Sequence, residues 1–347
     1  MAIPSIDTII RDAIAQRVFP GAVVVVARGD ETLHCAAYGA TAYEAPESVP
    51  VTPATIYDIA SLTKVFTATG ALRLYDTGTL DLDAPVGTYL ARFHTRDITV
   101  RHLLTHTSGL DVRLSVLRHA GREGLLNAVY AAVPRHRPGS KVAYTNINSL
   151  LLGEIVATLH GAPLDVALDD LVIQPLGLRE TRFRPDAALV TRIAPTEFDH
   201  EWRGRLVHGS VHDESAHVLG GVAGHAGLFS TAAELVSFCR SWMATPEDHN
   251  HPHVLRRATM TLATTNHTPG MALACGLGWM LDRAGFMGAA PAGSFGHTGF
   301  TGPALVIIPH HRLIVVVLSN RTYPRRDTPR HHPVTAAIVN AALASIA

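Results

Sequence analysis

Gly21-Ala-Val-Val-Val-Val-Ala27 is an unbroken apolar run rich in β-branched residues, placed between Pro20 and the polar stretch Arg28-Gly-Asp-Glu31. Seven residues of this kind are too short for a helix and match a strand buried on both faces. Arg28–Glu31 reads as a turn and residues 32–38 as a second strand, which makes a hairpin. The other end of the chain answers it. Residues 276–282, 294–297, 304–308 and 313–319 read as further strands, and Pro309-His-His-Arg312 as the turn between the last two. Helical spacing appears before the hairpin, at Ile6, Ile9, Ile10, Ala13 and Ile14, and residues 333–346 form an Ala-rich closing helix. The middle of the chain is mostly helical by pattern, with candidates at 62–77, 99–105, 122–132, 146–160, 164–173 and 231–243. Strands at both ends with helices between predict an α+β fold: one antiparallel sheet built from both termini, flanked by helices, with an inserted mainly helical part. On this reading residues 1–347 form a single domain, its α/β part at about 1–80 and 230–347 and its helical part at about 81–229.

Composition narrows the function. The chain has 347 residues, 47% of them hydrophobic, and its 29 basic and 29 acidic residues cancel. Disorder needs low hydrophobicity and high net charge, so it is excluded. A nucleic-acid partner is not expected, because phosphate binding needs a basic surplus. No apolar run approaches the ~20 residues of a spanning helix, so no membrane span is expected. The N-terminus lacks the basic and apolar regions of a secretory signal. The chain as given is therefore expected in the cytoplasm, or in the periplasm or medium if a leader has been removed. Cys35, Cys239 and Cys275 are odd in number and far apart, which predicts buried apolar thiols rather than disulfides or a zinc site. Two compositional facts stand out: 21 His, and only Lys64 and Lys141 as lysines among otherwise Arg cations.

One of those lysines lies in Ile59-Ala-Ser61-Leu-Thr-Lys64-Val-Phe. At the start of a helix, i and i+3 side chains share a face about 5–6 Å apart, so Lys64 can reach Ser61. A serine hydroxyl is a weak nucleophile that needs such a neighbour. The free N–H groups of a helix N-terminus favour a developing oxyanion. Tyr144-Thr-Asn146 opens another predicted helix. Near a cation a phenol becomes an accessible base, so Tyr144 beside Lys64 can take the Ser61 proton, while Asn146 offers an amide to Lys64 or to a substrate carbonyl. His297-Thr298-Gly299-Phe300 lies on a predicted strand. There Gly299 admits a substrate backbone, Phe300 N–H serves as a second oxyanion donor, and His297 adds a donor.

In the order Ser-x-x-Lys, Tyr-x-Asn, His-Thr-Gly, these motifs resemble those of the penicillin-recognising serine hydrolases. The match is to the branch of class C β-lactamases, DD-peptidases and related esterases. Thr55-Ile-Tyr-Asp-Ile-Ala-Ser61-Leu-Thr-Lys64, Leu80-Asp-Leu-Asp-Ala-Pro-Val86 and Thr99-Val-Arg-His-Leu-Leu-Thr-His-Thr-Ser-Gly-Leu110 are similar to that family's flanking stretches, and the likeness runs from about residue 5 to 345. The resemblance implies a β-lactamase/transpeptidase-like fold and an acyl-enzyme on Ser61. It implies proton transfer by Lys64 and Tyr144, with Asn146, His297, Thr298, Gly299 and Phe300 lining the substrate cleft. The implied substrate is a small ester, amide, peptide or β-lactam, and no metal or organic cofactor is implied. The chain departs from the family at His297, where the β-lactamases carry Lys, a permanent positive charge that helps hold a substrate carboxylate. Ala194-Pro-Thr-Glu197, Val211-His-Asp-Glu214-Ser-Ala and Gly220–Ser230 resemble a subgroup associated with cell-wall fragment recycling, which implies a muropeptide-type substrate.

Two rival classes are a catalytically silent protein of this fold and a His-rich metal binder. His208 and His212 have i, i+4 spacing, but the glycines around them predict a loop, and H-x-x-x-H lacks a zincin's Glu. A cleft-lining loop, with 211–214 and His225 near the substrate, is the expectation. Gly220-Gly-Val-Ala-Gly224 lacks the Lys-Ser/Thr of a phosphate loop. His310-His311, His331-His332 and the basic loop 325–333 are expected in solvent.

Overall fold

The computed structural model describes residues 3–44, 48–243, 252–329 and 331–347. Its main sheet is antiparallel and has six strands: β1 (Gly21–Arg28), β2 (Glu31–Gly39), β3 (Met280–Leu281), β4 (Phe295–Thr298), β5 (Ala304–Ile308) and β6 (Leu313–Ser319). Their order is β2-β1-β6-β5-β4-β3, so the sheet is open and the chain's first strand pairs with its last. Register runs from Ala22 opposite Ser319 to Arg28 opposite Leu313. Both termini build the sheet, as the sequence predicts.

The two-residue period of a strand splits its side chains between two faces. Val23, Val25, Ile314, Val316 and Leu318 enter one core, while Ala22, Val24, Val26, Val315 and Val317 enter a second. Because both faces are covered, β6 is buried at every position. Helices α1 (Pro4–Ala15) and α5 (His332–Ala344) cover the second face with Ile6, Ile10, Ile338 and Val339. The first face receives α2 (Thr63–Asp76), α3 (Asn146–His160) and α4 (Ala232–Ser241). Aromatic contacts close this core, with Phe66 and Phe238 stacked at 4.1 Å and Trp279 edge-on to Trp242 and Phe295 at 5.0 Å.

Several expectations need correction. The 276–282 strand shrinks to β3, because Gly278 takes φ +84° and the amides of Leu277 and Gly278 bond to the carbonyls of Ala263 and Leu104. The helix Arg257–Thr264 was not expected from its Thr-rich sequence; Asp76 accepts from Arg256 N–H and Thr259 Oγ1 at its start. The 164–173 helix is α-helical only over Leu164–Leu168 and continues as a wider π-helical turn over Asp169–Ile173. The region around 195–227 is more than loop: it holds the hairpin Glu197–Asp199/Arg205–Val207 and the short helix Glu214–Val218. Cys35 is exposed, unlike the buried Cys239 and Cys275. His331 is buried, not solvated. Arg330, within the loop predicted to be solvated, lies outside the described residues. No single helix among the described residues is long and apolar enough to cross a membrane.

Candidate active site

Ser61 sits in a sharp turn between a short strand and α2. Tyr57–Asp58 pairs with Phe229 and Ser230, then a single 3₁₀ turn, Ala60–Leu62, leads into the helix. Ala60 has φ +45°, a left-handed conformation that costs a non-glycine residue about 1–3 kcal/mol unless its surroundings enforce it. The surroundings do. Asp58 Oδ1 accepts from Ala60 N–H at 2.8 Å, its Oδ2 accepts from His212 N–H at 2.7 Å, and its carbonyl accepts from Thr301 Oγ1 at 2.8 Å. Burial raises the Asp58 carboxyl above the usual range, against these donors.

Lys64 is 2% exposed and its Nζ donates to Ser61 Oγ at 2.8 Å and to the carbonyl of His225 at 3.1 Å. The second bond belongs to a seam along α2. Thr67 Oγ1 donates to Gly224 O at 2.9 Å, and Leu228 N–H donates to Thr63 Oγ1 at 3.2 Å. Gly224 is required in this seam: a Cβ there would lie 2.1 Å from Ser149 O on α3. Close packing against α3, not phosphate binding, accounts for Gly224, while Gly220 and Gly221 take positive φ.

Tyr144 is half exposed, with Lys64 Nζ 5.1 Å from its ring centre. His106 and His297 flank the ring at 4.7 Å and 5.9 Å between centroids. Both histidines are pushed down to about 3 by burial and by the neighbouring Lys64, so both are neutral at pH 7. His297 therefore brings no positive charge to β4. His297 Nδ1 lies 2.9 Å from Thr298 O, which fixes that nitrogen as the protonated one.

The sequence-selected residues converge, with two exceptions. Ser61, Tyr144, Asn146, Thr298, Gly299 and Phe300 line one cavity of about 730 Å³. His297 instead lines a smaller pocket of about 60 Å³ behind Tyr144, with His106 and Trp279. His225 is fully buried and outside both linings; its carbonyl holds Lys64, while its ring Nε2 lies 3.1 Å from Asp213 Oδ1 and 2.9 Å from Ser215 Oγ. His212 and His208 go to separate partners, Glu197 and the Ile193 carbonyl, and the described residues contain no group of three or more metal-ligating side chains.

Asp213, within the 211–214 stretch expected near the substrate, lines the cavity, and so does Arg326, which was expected in solvent. Burial alone would raise the Asp213 carboxyl, but His225, Ser215 Oγ and the Ala216 N–H hold it well below the usual range. Its Oδ2 also accepts from Asn146 Nδ2 at 3.4 Å. Arg326 donates to Glu197 at 2.6 Å and to Glu214 at 2.8 Å, so the loop predicted to be solvated forms a wall. Despite its burial, Glu197 is drawn down to about 2 by His212 and Arg326.

Known proteins match along most of the chain. The Beta-lactamase family profile matches residues 6–340. An N-acetylmuramyl-L-alanine amidase of Bacillus subtilis (strain 168) is 30% identical, covering 91% of this chain and 80% of its own length. A putative D-alanyl-D-alanine carboxypeptidase of Escherichia coli (strain K12) is 27% identical, covering 91% and 81%. Among solved structures, EstCE1, a hydrolase with promiscuous acyltransferase activity, superposes with TM-score 0.78 at 22% identity, covering 98% of this chain and 97% of that one. D-alanine carboxypeptidase AmpC from Burkholderia cenocepacia gives 0.77 at 22% identity, with 99% and 98% covered. The chain belongs to the beta-lactamase family and is a serine hydrolase of that type.

Proposed function

We propose that this hydrolase cleaves an amide or peptide bond in a cell-wall-derived fragment through an acyl-enzyme on Ser61. The observation that carries the chemistry is Lys64 Nζ at 2.8 Å from Ser61 Oγ, beside a 730 Å³ cavity. The substrate class rests on the amidase relative of Bacillus subtilis and on the 194–230 stretches. In acylation Ser61 Oγ attacks the carbonyl carbon, and its proton passes to the Lys64–Tyr144 pair. The N–H groups of Ser61 and Phe300 receive the oxyanion. Collapse breaks the C–N bond, and the amine leaves with the proton returned by the pair. Water then attacks the ester, restoring Ser61 and releasing a carboxylic acid.

The test is hydrolysis of N-acetylmuramyl-L-alanine, followed by mass spectrometry of both products. Wild-type protein is expected to release N-acetylmuramic acid and alanine, and Ser61→Ala to lose at least ~10³-fold in rate. Equal turnover by Ser61→Ala contradicts the mechanism; intact substrate with wild-type protein contradicts the substrate class.

A further inference from the structure

Two cavities share Tyr144. It lines the 730 Å³ cavity that holds Ser61 and also the pocket of about 60 Å³ behind it, and Met280 lines both as well. The chemistry proposed above makes no use of the smaller pocket. Its other apolar lining is Val142, Leu273, Cys275 and Trp279. His106 and His297 complete it, and burial and the nearby Lys64 keep both rings neutral at pH 7. A lysine at 297, as in the β-lactamases, would place a charge in this lining; the neutral imidazole does not. Arg283 is the charged residue of the lining, and it is engaged within the protein: Nη1 donates to Leu281 O at 3.2 Å and Nη2 reaches Cys275 Sγ at 3.6 Å.

The pocket is small and its walls are firm. Trp279 is buried and packs edge-on to Trp242 and Phe295 at 5.0 Å. Beside it, a Cβ on Gly278 would lie 2.3 Å from Ala68 Cβ, so this segment already presses on α2. Close-packed walls of this kind do not widen without cost. A methyl group fills about the ~30 Å³ share of a water molecule. The pocket therefore holds one or two carbon atoms and excludes an isobutyl group.

Its position follows from the direction of proton transfer. The Lys64–Tyr144 pair returns the proton to the leaving nitrogen, so that nitrogen must come within hydrogen-bond reach of the pair. The side chain of the leaving residue begins on the carbon next to that nitrogen. An apolar enclosure adjoins this point, bounded by Tyr144 and by Met280, whose unbranched side chain adapts to what it contacts. We propose that the pocket behind Tyr144 receives the side chain of the residue released by cleavage, and that it selects a methyl or ethyl group over hydrogen and over larger side chains. In N-acetylmuramyl-L-alanine that group is the alanine methyl. The assignment rests on the reading of Tyr144 as a proton donor to the leaving amine.

The experiment measures kcat/KM of the full-length protein for the N-acetylmuramyl amides of glycine, L-alanine, L-2-aminobutyrate and L-leucine, by quantifying the amino acid released. Alanine is expected to exceed both glycine and leucine at least ~10-fold, and 2-aminobutyrate to stay within a few-fold of alanine. Leu273→Ala and Cys275→Ala each remove atoms from the lining, and each should raise leucine relative to alanine about 10-fold. The wild-type series needs no variant to fold. Equal kcat/KM across the series overturns the pocket while leaving amide hydrolysis standing, and a leucine-to-alanine ratio unchanged in both variants overturns it too. No turnover of any member overturns the substrate reading and the pocket together, so the two failures are told apart.

Discussion

Asp213 ties together three parts of the site. Its Oδ2 meets the Asn146 amide, its Oδ1 meets the His225 ring, and the carbonyl of His225 receives Lys64. Asp213→Asn keeps the shape and removes the charge that holds this arrangement. We expect kcat to fall about 10–100-fold, the cost of weakening one buried charge-assisted network. Steady-state kinetics checks it, with far-UV circular dichroism to confirm folding; a wild-type kcat contradicts the wiring. Ser61 and Lys64 were legible because i, i+3 spacing on a helix brings them together, whereas Tyr144 and Asn146 were placed beside them by the resemblance of the three motifs. Asp213 was legible only within a quoted motif.

Strands and helices bring these residues together through close backbone contacts. Gly299 on the segment after β4 faces the turn before Ser61, and a Cβ there would lie 2.7 Å from Ile59 O and 3.4 Å from the Ala60 Cβ. The backbone at Ile59 cannot yield without disturbing the strained Ala60. Gly299→Ala is therefore expected to lower kcat/KM at least ~10-fold, with a melting temperature lowered by only a few degrees. Unchanged kcat/KM contradicts the close approach. At this scale the β-branched runs were read well, because strands buried on both faces look alike in any protein. The 276–282 segment misled because its apolar alternation hides two glycines, and Gly278 packs against Ala68 at a positive φ. Helix Arg257–Thr264 escaped because its support is the carboxylate of Asp76, far away in sequence.

For the molecule as a whole, the sheet divides two cores, and buried histidines make its stability depend on pH. His106, His297 and His331 are each pushed down to about 3 by burial, against 6.5 in the unfolded chain. Between these values the unfolded chain binds more protons, so stability rises with pH from about 3 to about 6.5. Glu197, drawn down to about 2 from 4.5, adds a slope of the same sign below about 4.5. The melting temperature should therefore climb from pH 4 to pH 7, and His331→Gln should flatten the climb; calorimetry that shows no rise contradicts it. The pairing of first and last strands was legible from the two ends, and 211–214 was expected to line the cleft; the cavity wall at Arg321, Arg326, Thr328 and His331 was not, because 325–333 was expected in solvent. The central claim is that Ser61 becomes acylated. Intact-mass spectrometry with a fluorophosphonate, followed by peptide mapping, tests it most directly. The account predicts one adduct per chain, on Ser61, absent from Ser61→Ala; no adduct, or an adduct that persists in Ser61→Ala, would contradict it.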